Sequence, residues 1–264
     1  MGQQKINRNP FKFKQFTIFQ DNVALPVTTD ACLFGAWINP IVITPFSRVL
    51  DIGCGTGLLT FMVAQKQPQA NFLGIDIHEA SIQAANTSLS HWKEQTAITP
   101  IYFQHKNIVE LSNPEFDVVI CNPPFFSNQL ESTNTDRNQA RHTSLLTLEN
   151  LISTIHGILN PQGSLFFMYP FLEKDSLEST LSQLNFCIKK ITEVSANSTK
   201  SPHLIFVHAV KNETAPNTPS KISTIEHRIN VYLNHLTSSD DTLQNHYNLT
   251  PECVEMLKDY YIKL

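Results

Sequence analysis

The chain has 264 residues, 41% hydrophobic and 16% charged, which excludes a disordered polypeptide and suits one α/β unit with small additions better than two full domains. Its formal net charge of −4 argues against a protein that coats nucleic acid non-specifically, although a local basic footprint remains compatible with it. No N-terminal apolar run resembles a signal peptide, and no apolar stretch reaches the roughly 18 residues of a membrane span.

The five cysteines (Cys32, Cys54, Cys121, Cys187, Cys253) are odd in number, widely spaced and never form CxxC. The ten histidines show no metal-ligand spacing. A cytoplasmic protein with reduced thiols and no metal is expected.

In chain order, basic and aromatic residues come first. Lys5, Arg8, Lys12 and Lys14 precede the first acidic residue, Asp21, and are interleaved with Phe11, Phe13 and Phe16. The mixture suits phosphate contact and base stacking, and an RNA-facing role is the expectation for Lys12 and Lys14. A β-hairpin whose phenylalanines face the core fits the same pattern equally well. Ser47 to Ile52 reads as a strand, followed by a glycine turn and a helix from about Leu58 to Gln65. Asn71 to Asp76 is a second strand, and His78 to Trp92 is helical. Ile101 to Gln104 and Phe116 to Cys121 are strands three and four. Leu145 to Leu159 is helical, Gly163 to Tyr169 a fifth strand, and Leu172 to Leu184 helical again. Phe186 to Val194 and His203 to Val210 close the pattern. Their connection, Ser195 to Pro202, is too short for a parallel crossover, so this pair is predicted to be antiparallel. Asn212 to Ser220 reads as a linker. A strand near Ile225 to Ile229 and a helix over Pro251 to Ile262, capped by Thr250, complete the chain. The expected division is an N-terminal extension (1–45), an α/β core (46–211) and a linker with a C-terminal strand and helix packed on that core (212–264). The core is predicted to be Rossmann-like, a mostly parallel seven-stranded sheet with an antiparallel last strand.

The most specific local signal runs from Val49 to Gly57, VLDIGCGTG, between a strand and a helix. Gly53, Gly55 and Gly57 permit a tight turn and close approach of a ligand to the backbone. A dinucleotide site would read G-x-G-x-x-G. Here the spacing is G-x-G-x-G, with Asp51 two residues before the first glycine. A carboxylate there is unhelpful beside a pyrophosphate and useful beside an ammonium, which favours S-adenosyl-L-methionine over a nicotinamide dinucleotide. Asp76 ends the second strand, where an acidic side chain can accept from both ribose hydroxyls, and Ile75 and Ile77 can flank the adenine.

The fourth strand ends in Cys121-Asn-Pro-Pro-Phe125. Ligands in open α/β sheets bind beyond the carboxyl ends of the strands, which places this turn beside the glycine loop. Asn122 offers a side-chain carbonyl. Pro123, followed by Pro124, removes a backbone donor and leaves carbonyl acceptors to point at a ligand. Two acceptors aimed at an amino group hold both hydrogens and orient the nitrogen lone pair toward the methyl group. Phe125 supplies a ring for a flat substrate such as a flipped base. No strong general base is required, because positioning supplies most of the gain and the proton can leave to water. The polar stretch from Phe126 to His142 carries Arg137, Arg141 and His142, candidates for gripping flanking nucleotides.

DIGCGTG, the strand end GID and NPPF, in that order, resemble the class I S-adenosylmethionine-dependent methyltransferases that act on planar amino nitrogen. Phe11 to Phe16, Thr28-Thr-Asp-Ala31 and Leu33 to Trp37 resemble the bacterial tRNA1(Val) adenine-37 N6-methyltransferase family. So do Gln139-Ala-Arg-His142 and the C-terminal LTPE and KDYY. The resemblance implies that Asp51, Gly53 and Gly55 hold the methionine part and Asp76 the ribose. It implies that Thr28 and Asp30 cover the cofactor. Asn122, bordering the cofactor, and Pro123 would hold the target amine of a tRNA, and Phe125 would stack on its base. Asn107 stands near where such families carry an aspartate contacting the cofactor's adenine. A monomer acting on tRNA, with neither DNA nor membrane as partner, is the expectation. The competing readings are a protein-glutamine or small-molecule methyltransferase and a non-catalytic cofactor-binding RNA chaperone.

Overall fold

The computed structural model describes residues 8–264 except 24, 39, 94–99, 112–114, 124–146, 214–224 and 234–247. A short hairpin, β1 (Phe11–Lys12) and β2 (Thr17–Ile18), leads into α1 (Thr29–Trp37). The alternating core follows: β3 (Arg48–Ile52), α2 (Leu58–Lys66), β4 (Asn71–Asp76), α3 (Glu79–Lys93), β5 (Ile101–His105) and β6 (Phe116–Cys121). After it come α4 (Leu148–Ile158), β7 (Leu159–Pro170), α5 (Lys174–Gln183), β8 (Phe186–Ser195), β9 (Leu204–Lys211), β10 (Ile225–Asn230) and α6 (Pro251–Leu257).

Apart from the hairpin, the strands form one sheet in the order β10-β8-β9-β7-β6-β3-β4-β5. The central strands are apolar on both faces because both faces are covered. In β6, Val118 and Ile120 enter the core on the side of α1, α2 and α3, while Val119 and Cys121 enter the core on the side of α4 and α5. The predicted antiparallel pair is present, and β9 runs antiparallel to both β7 and β8. It inserts between them, so its first residues lie at the edge where its neighbours end, with Leu204 opposite Pro170 and Val194. The strand read near Ile225 is also present, and it joins the main sheet parallel to β8. The described sheet therefore has eight strands, one more than the pattern of the core alone predicts.

The two ends of the chain complete one core. Phe13 and Phe16 are buried, their rings 4.6 Å apart, and Phe16 stacks on Phe61 of α2 at 5.6 Å. Of the two readings of this segment, the hairpin whose phenylalanines face the core is the one present at Phe13 and Phe16, and neither offers a stacking surface to RNA. Burying them removes far more apolar area from water than a solvated arm would. The helix predicted over Pro251 to Ile262 ends at Leu257. Beyond it the amides of Tyr260 and Tyr261 both donate to the Leu257 carbonyl. That turn sets Tyr260, fully buried, against α2, where its hydroxyl donates to the Met62 carbonyl at 3.1 Å. Among the described residues no helix is long and apolar enough to cross a membrane.

Candidate active site

The site is built where β3, β4 and β6 end side by side. Asp51 pairs in register with Gly74 on one side and Ile120 on the other, and Ile52 pairs with Cys121. The glycine loop after β3 has φ values of 66°, 55° and 81° at Gly53, Gly55 and Gly57, a region that side chains with a Cβ enter at a cost. The three glycines serve different ends. A Cβ on Gly53 or Gly55 would meet nothing within 4 Å, so the loop there is an open cradle. A Cβ on Gly57 would lie 2.6 Å from the Phe103 ring and 2.9 Å from Phe61, so this glycine serves packing at the start of α2.

Asp51 is 2% exposed. Its Oδ2 accepts from the Thr60 hydroxyl at 2.7 Å and the Thr60 amide at 3.2 Å. Its Oδ1 is buried with no hydrogen-bond partner among the described residues. Burial pushes the carboxyl up to about 7, against the opposing pull of the two Thr60 bonds and with a contribution from Asp76. An unpartnered buried carboxylate oxygen is costly. An incoming ammonium would satisfy it and restore the charged form. Asp76 spends one oxygen on the Gly55 amide at 2.9 Å and the other on the His78 amide at 2.8 Å. It thus ties the glycine loop to β4 and fixes the turn that leads into α3. Each carboxylate oxygen retains a second lone pair for a ribose hydroxyl.

Ile77, directly after Asp76, is 47% exposed, while Ile75 is buried in the sheet; of the two isoleucines only Ile77 offers a face to a ligand. His105 Nε2 lies 2.9 Å from the Ile77 carbonyl and fixes that corner. The Asn107 side-chain carbonyl accepts from the Val109 amide at 3.3 Å and caps the short helical turn Ile108–Glu110. That oxygen therefore already has a partner within the chain.

Asn122 and Pro123 follow β6, half-buried, one residue beyond the Cys121–Ile52 pair and so next to Gly53. Pro124, Phe125, Arg137, Arg141 and His142 lie outside the described residues. Thr28 caps α1, its hydroxyl accepting from the Ala31 amide at 3.2 Å. Asp30 in the first turn of that helix meets His203 Nε2 at 3.3 Å, at the start of β9. The bond to Asp30 raises the His203 pKa above its ordinary value, against the effect of burial. Lys12 is exposed. Lys14 is held structurally: its amide donates to the Tyr260 carbonyl and its ammonium to the Lys258 carbonyl, just past α6. Cations are favoured at that end of a helix.

Neither the contact of Thr60 with Asp51 nor the packing that requires glycine at position 74 is legible in the sequence. Thr60 stands three residues into α2, where a hydroxyl signals nothing until Asp51 is seen beneath it. A Cβ on Gly74 would lie 2.5 Å from Phe103 and 3.0 Å from the Cys54 sulfur, so the strand beside the loop must be glycine there.

The family model described as Methyltransferase small domain matches residues 38–190. The crystal structure of a predicted O-methyltransferase from Agrobacterium tumefaciens shares the fold. Its TM-score is 0.60 at 17% identity, over 87% of this chain and 95% of that one. Fold, glycine loop and family model together define a class I methyltransferase, a class that takes its methyl group from S-adenosyl-L-methionine. The chain is 33% identical to the tRNA1(Val) (adenine(37)-N6)-methyltransferase of Vibrio campbellii, over 80% of this chain and 86% of that one. It is 30% identical to the protein of the same name in Trichodesmium erythraeum, over 97% and 98%. The chain belongs to the tRNA1(Val) (adenine(37)-N6)-methyltransferase family.

Proposed function

We propose that this chain transfers a methyl group from S-adenosyl-L-methionine to the N6 amine of an adenine in tRNA, adenine 37 of a valine tRNA, in the cytoplasm and as a monomer. One observation carries the reading: Asn122-Pro123 follow β6 one residue beyond the Cys121–Ile52 pair, at the sheet edge that carries the open glycine cradle, with an unpartnered oxygen of Asp51 on the neighbouring strand. An amine held at Asn122-Pro123 and a cofactor anchored by its ammonium at Asp51 would sit at the ends of neighbouring strands, which lets the amine face the methyl group.

When bound, S-adenosyl-L-methionine supplies an electrophilic methyl group on a sulfonium. Asp51 receives the ammonium, and Gly53 and Gly55 let the backbone approach closely. Asp76 accepts from the ribose and Ile77 lies against the adenine, with Asn107 at the same corner. Thr28 and Asp30 close the site from the N-terminal segment. The Asn122 carbonyl and the backbone carbonyls freed by Pro123 and Pro124 accept from the two amine hydrogens, and Phe125 stacks on the base. Lys12, Arg137, Arg141 and His142 serve the surrounding RNA. In this reading residues 1–45 cover the site, 46–211 form the catalytic core and 212–264 support it.

The test is methyl transfer from labelled S-adenosyl-L-methionine to separate pools of unmodified tRNA, DNA and release-factor protein, with the labelled product digested and identified. The expected product is N6-methyladenosine from tRNA, and N122A is expected to slow its formation by on the order of 10²-fold or more, since misplacing a reactant costs that much. Label in a glutamine side chain would replace the substrate. Undiminished turnover by N122A would remove Asn122 from the chemistry.

A further inference from the structure

We infer that His203 is a positioning residue for cofactor binding: its ring holds Asp30 and so sets the first turn of α1 against the glycine loop, a hold that is strongest when the histidine is charged. The inference rests on the reading above that Thr28 and Asp30 close the cofactor site.

The packing of α1 on α2 brings that first turn to the loop. A Cβ on Gly35 of α1 would lie 2.7 Å from the Met62 sulfur of α2, so the two helices approach closely there. Five residues further along both segments, the Pro40 carbonyl accepts from the Gln67 side chain at 2.9 Å. The two helices therefore run in the same direction and in step. Five residues back from Gly35 and Met62 stand Asp30 and Gly57. Asp30 thus lies at the level of the last glycine of the loop, one helix-packing distance of about 8–10 Å away.

The same turn is held from its other side by residues of the C-terminal half. His203 Nε2 lies 3.3 Å from Asp30 Oδ2, with the two side chains 44% and 34% exposed. The Tyr232 hydroxyl reaches the Thr29 hydroxyl at 3.5 Å, the outer limit of a hydrogen bond, so His203 makes the stronger tie. The backbone that carries the imidazole is fixed. The His203 amide donates to the Val194 carbonyl at 2.9 Å, and its carbonyl accepts from the Phe171 amide at 3.0 Å. The histidine is therefore an anchor at the sheet edge, and α1 is what it anchors. The other charged groups on the elements around it are Glu173 and Lys174 after β7, Glu193 of β8 and Lys200 in its own turn, and Lys174 pairs with Glu193 at 3.3 Å. Among the described residues Asp30 is the one that acts on the charge of the imidazole, raising its pKa while burial opposes the shift. The ion pair is complete below that raised pKa and weakens to a neutral hydrogen bond as the pH rises through it. A pair this exposed adds little to the stability of the whole fold, but it acts beside the glycine loop.

The test measures affinity for S-adenosyl-L-methionine by calorimetry between about pH 5.5 and 8.5 in the parent, H203Q, H203K and D30N, with melting temperatures to confirm that each is folded. No tRNA is added, so the result is independent of the substrate. The readout is each variant's affinity relative to the parent at the same pH, because Asp51 titrates in this range in all four proteins. Near pH 6, H203Q should bind about 2- to 5-fold more weakly than the parent, the worth of one exposed ion pair, and D30N at least as weakly. The deficit of H203Q should shrink toward pH 8.5. H203K, which keeps a cation throughout, should match the parent at low pH and exceed it at high pH. Adding H203Q to D30N should cost nothing further. A ratio of H203K to parent that does not change with pH overturns the inference, since a merely structural histidine gives that result. Affinity lost in D30N but kept in H203Q also overturns it, leaving Asp30 in the site without help from His203. Parent-like affinity in D30N removes Asp30 from the cofactor site, and the reading beneath the inference fails with it.

Discussion

At the scale of single residues, Asp51 holds the clearest chemical tension in the molecule. Its carboxyl is buried, half satisfied by Thr60, and shifted upward from 3.8 to about 7. The folded chain therefore keeps a proton that the unfolded chain has released. Stability from this group is full below about pH 4 and is lost as the pH rises through 7. Asn at this position has no proton to lose. The cofactor-free D51N protein should melt at a higher temperature than the parent at pH 8, an advantage that shrinks as the pH is lowered toward 4. The same substitution removes the proposed partner of the methionine ammonium, so cofactor affinity measured by calorimetry should fall about 10- to 100-fold, as for other hydrogen bonds to charged groups. D51N that binds the cofactor like the parent would reduce Asp51 to a support for α2.

At the scale of elements, the glycine loop separates two uses of the same residue type. G57A adds left-handed backbone strain to an overlap with Phe103 and Phe61, and should cost roughly 3 kcal/mol in denaturant unfolding. G55A carries only the backbone strain, about 1 kcal/mol, because its Cβ points into open space. That space is the proposed cofactor cradle, so G55A should lose cofactor affinity while staying folded, and G57A should lose stability first. Equal effects on both readouts would show that the loop is only a turn. The motif DIGCGTG was legible as a ligand loop from spacing alone, because positive φ, tight turn and close approach all demand glycine locally. Which glycine faces ligand and which faces Phe103 was not legible, since Phe103 stands 46 residues after Gly57 on another strand.

At the scale of the molecule, the N-terminal hairpin, the sheet and the tail after α6 share one hydrophobic cluster that includes Phe13, Phe16, Phe61, Leu257 and Tyr260. The Tyr260 hydroxyl closes this assembly on the Met62 carbonyl. Y260F should therefore lower stability by about 1 kcal/mol in urea unfolding, with an unchanged slope. A variant as stable as the parent would mean that packing alone holds the tail.

The amino-acid sequence by itself determined the order of strands and helices from β3 to β9, the glycine loop with its acidic neighbours, and the place of Asn122-Pro123 after the fourth strand, but not the helix Thr29–Trp37. These follow from periodicity, glycine placement and turn chemistry, all of which act over a few residues. Tertiary structure decided what each residue near the termini is for. Phe13 and Phe16 became core, Lys14 met a carbonyl 244 residues away, β10 joined the sheet, and Asp30 found His203 across 173 residues. The physical reason is that burial and pairing are properties of surfaces brought together by the whole fold. A segment of basic and aromatic residues reads the same whether its partner is RNA or the far end of its own chain.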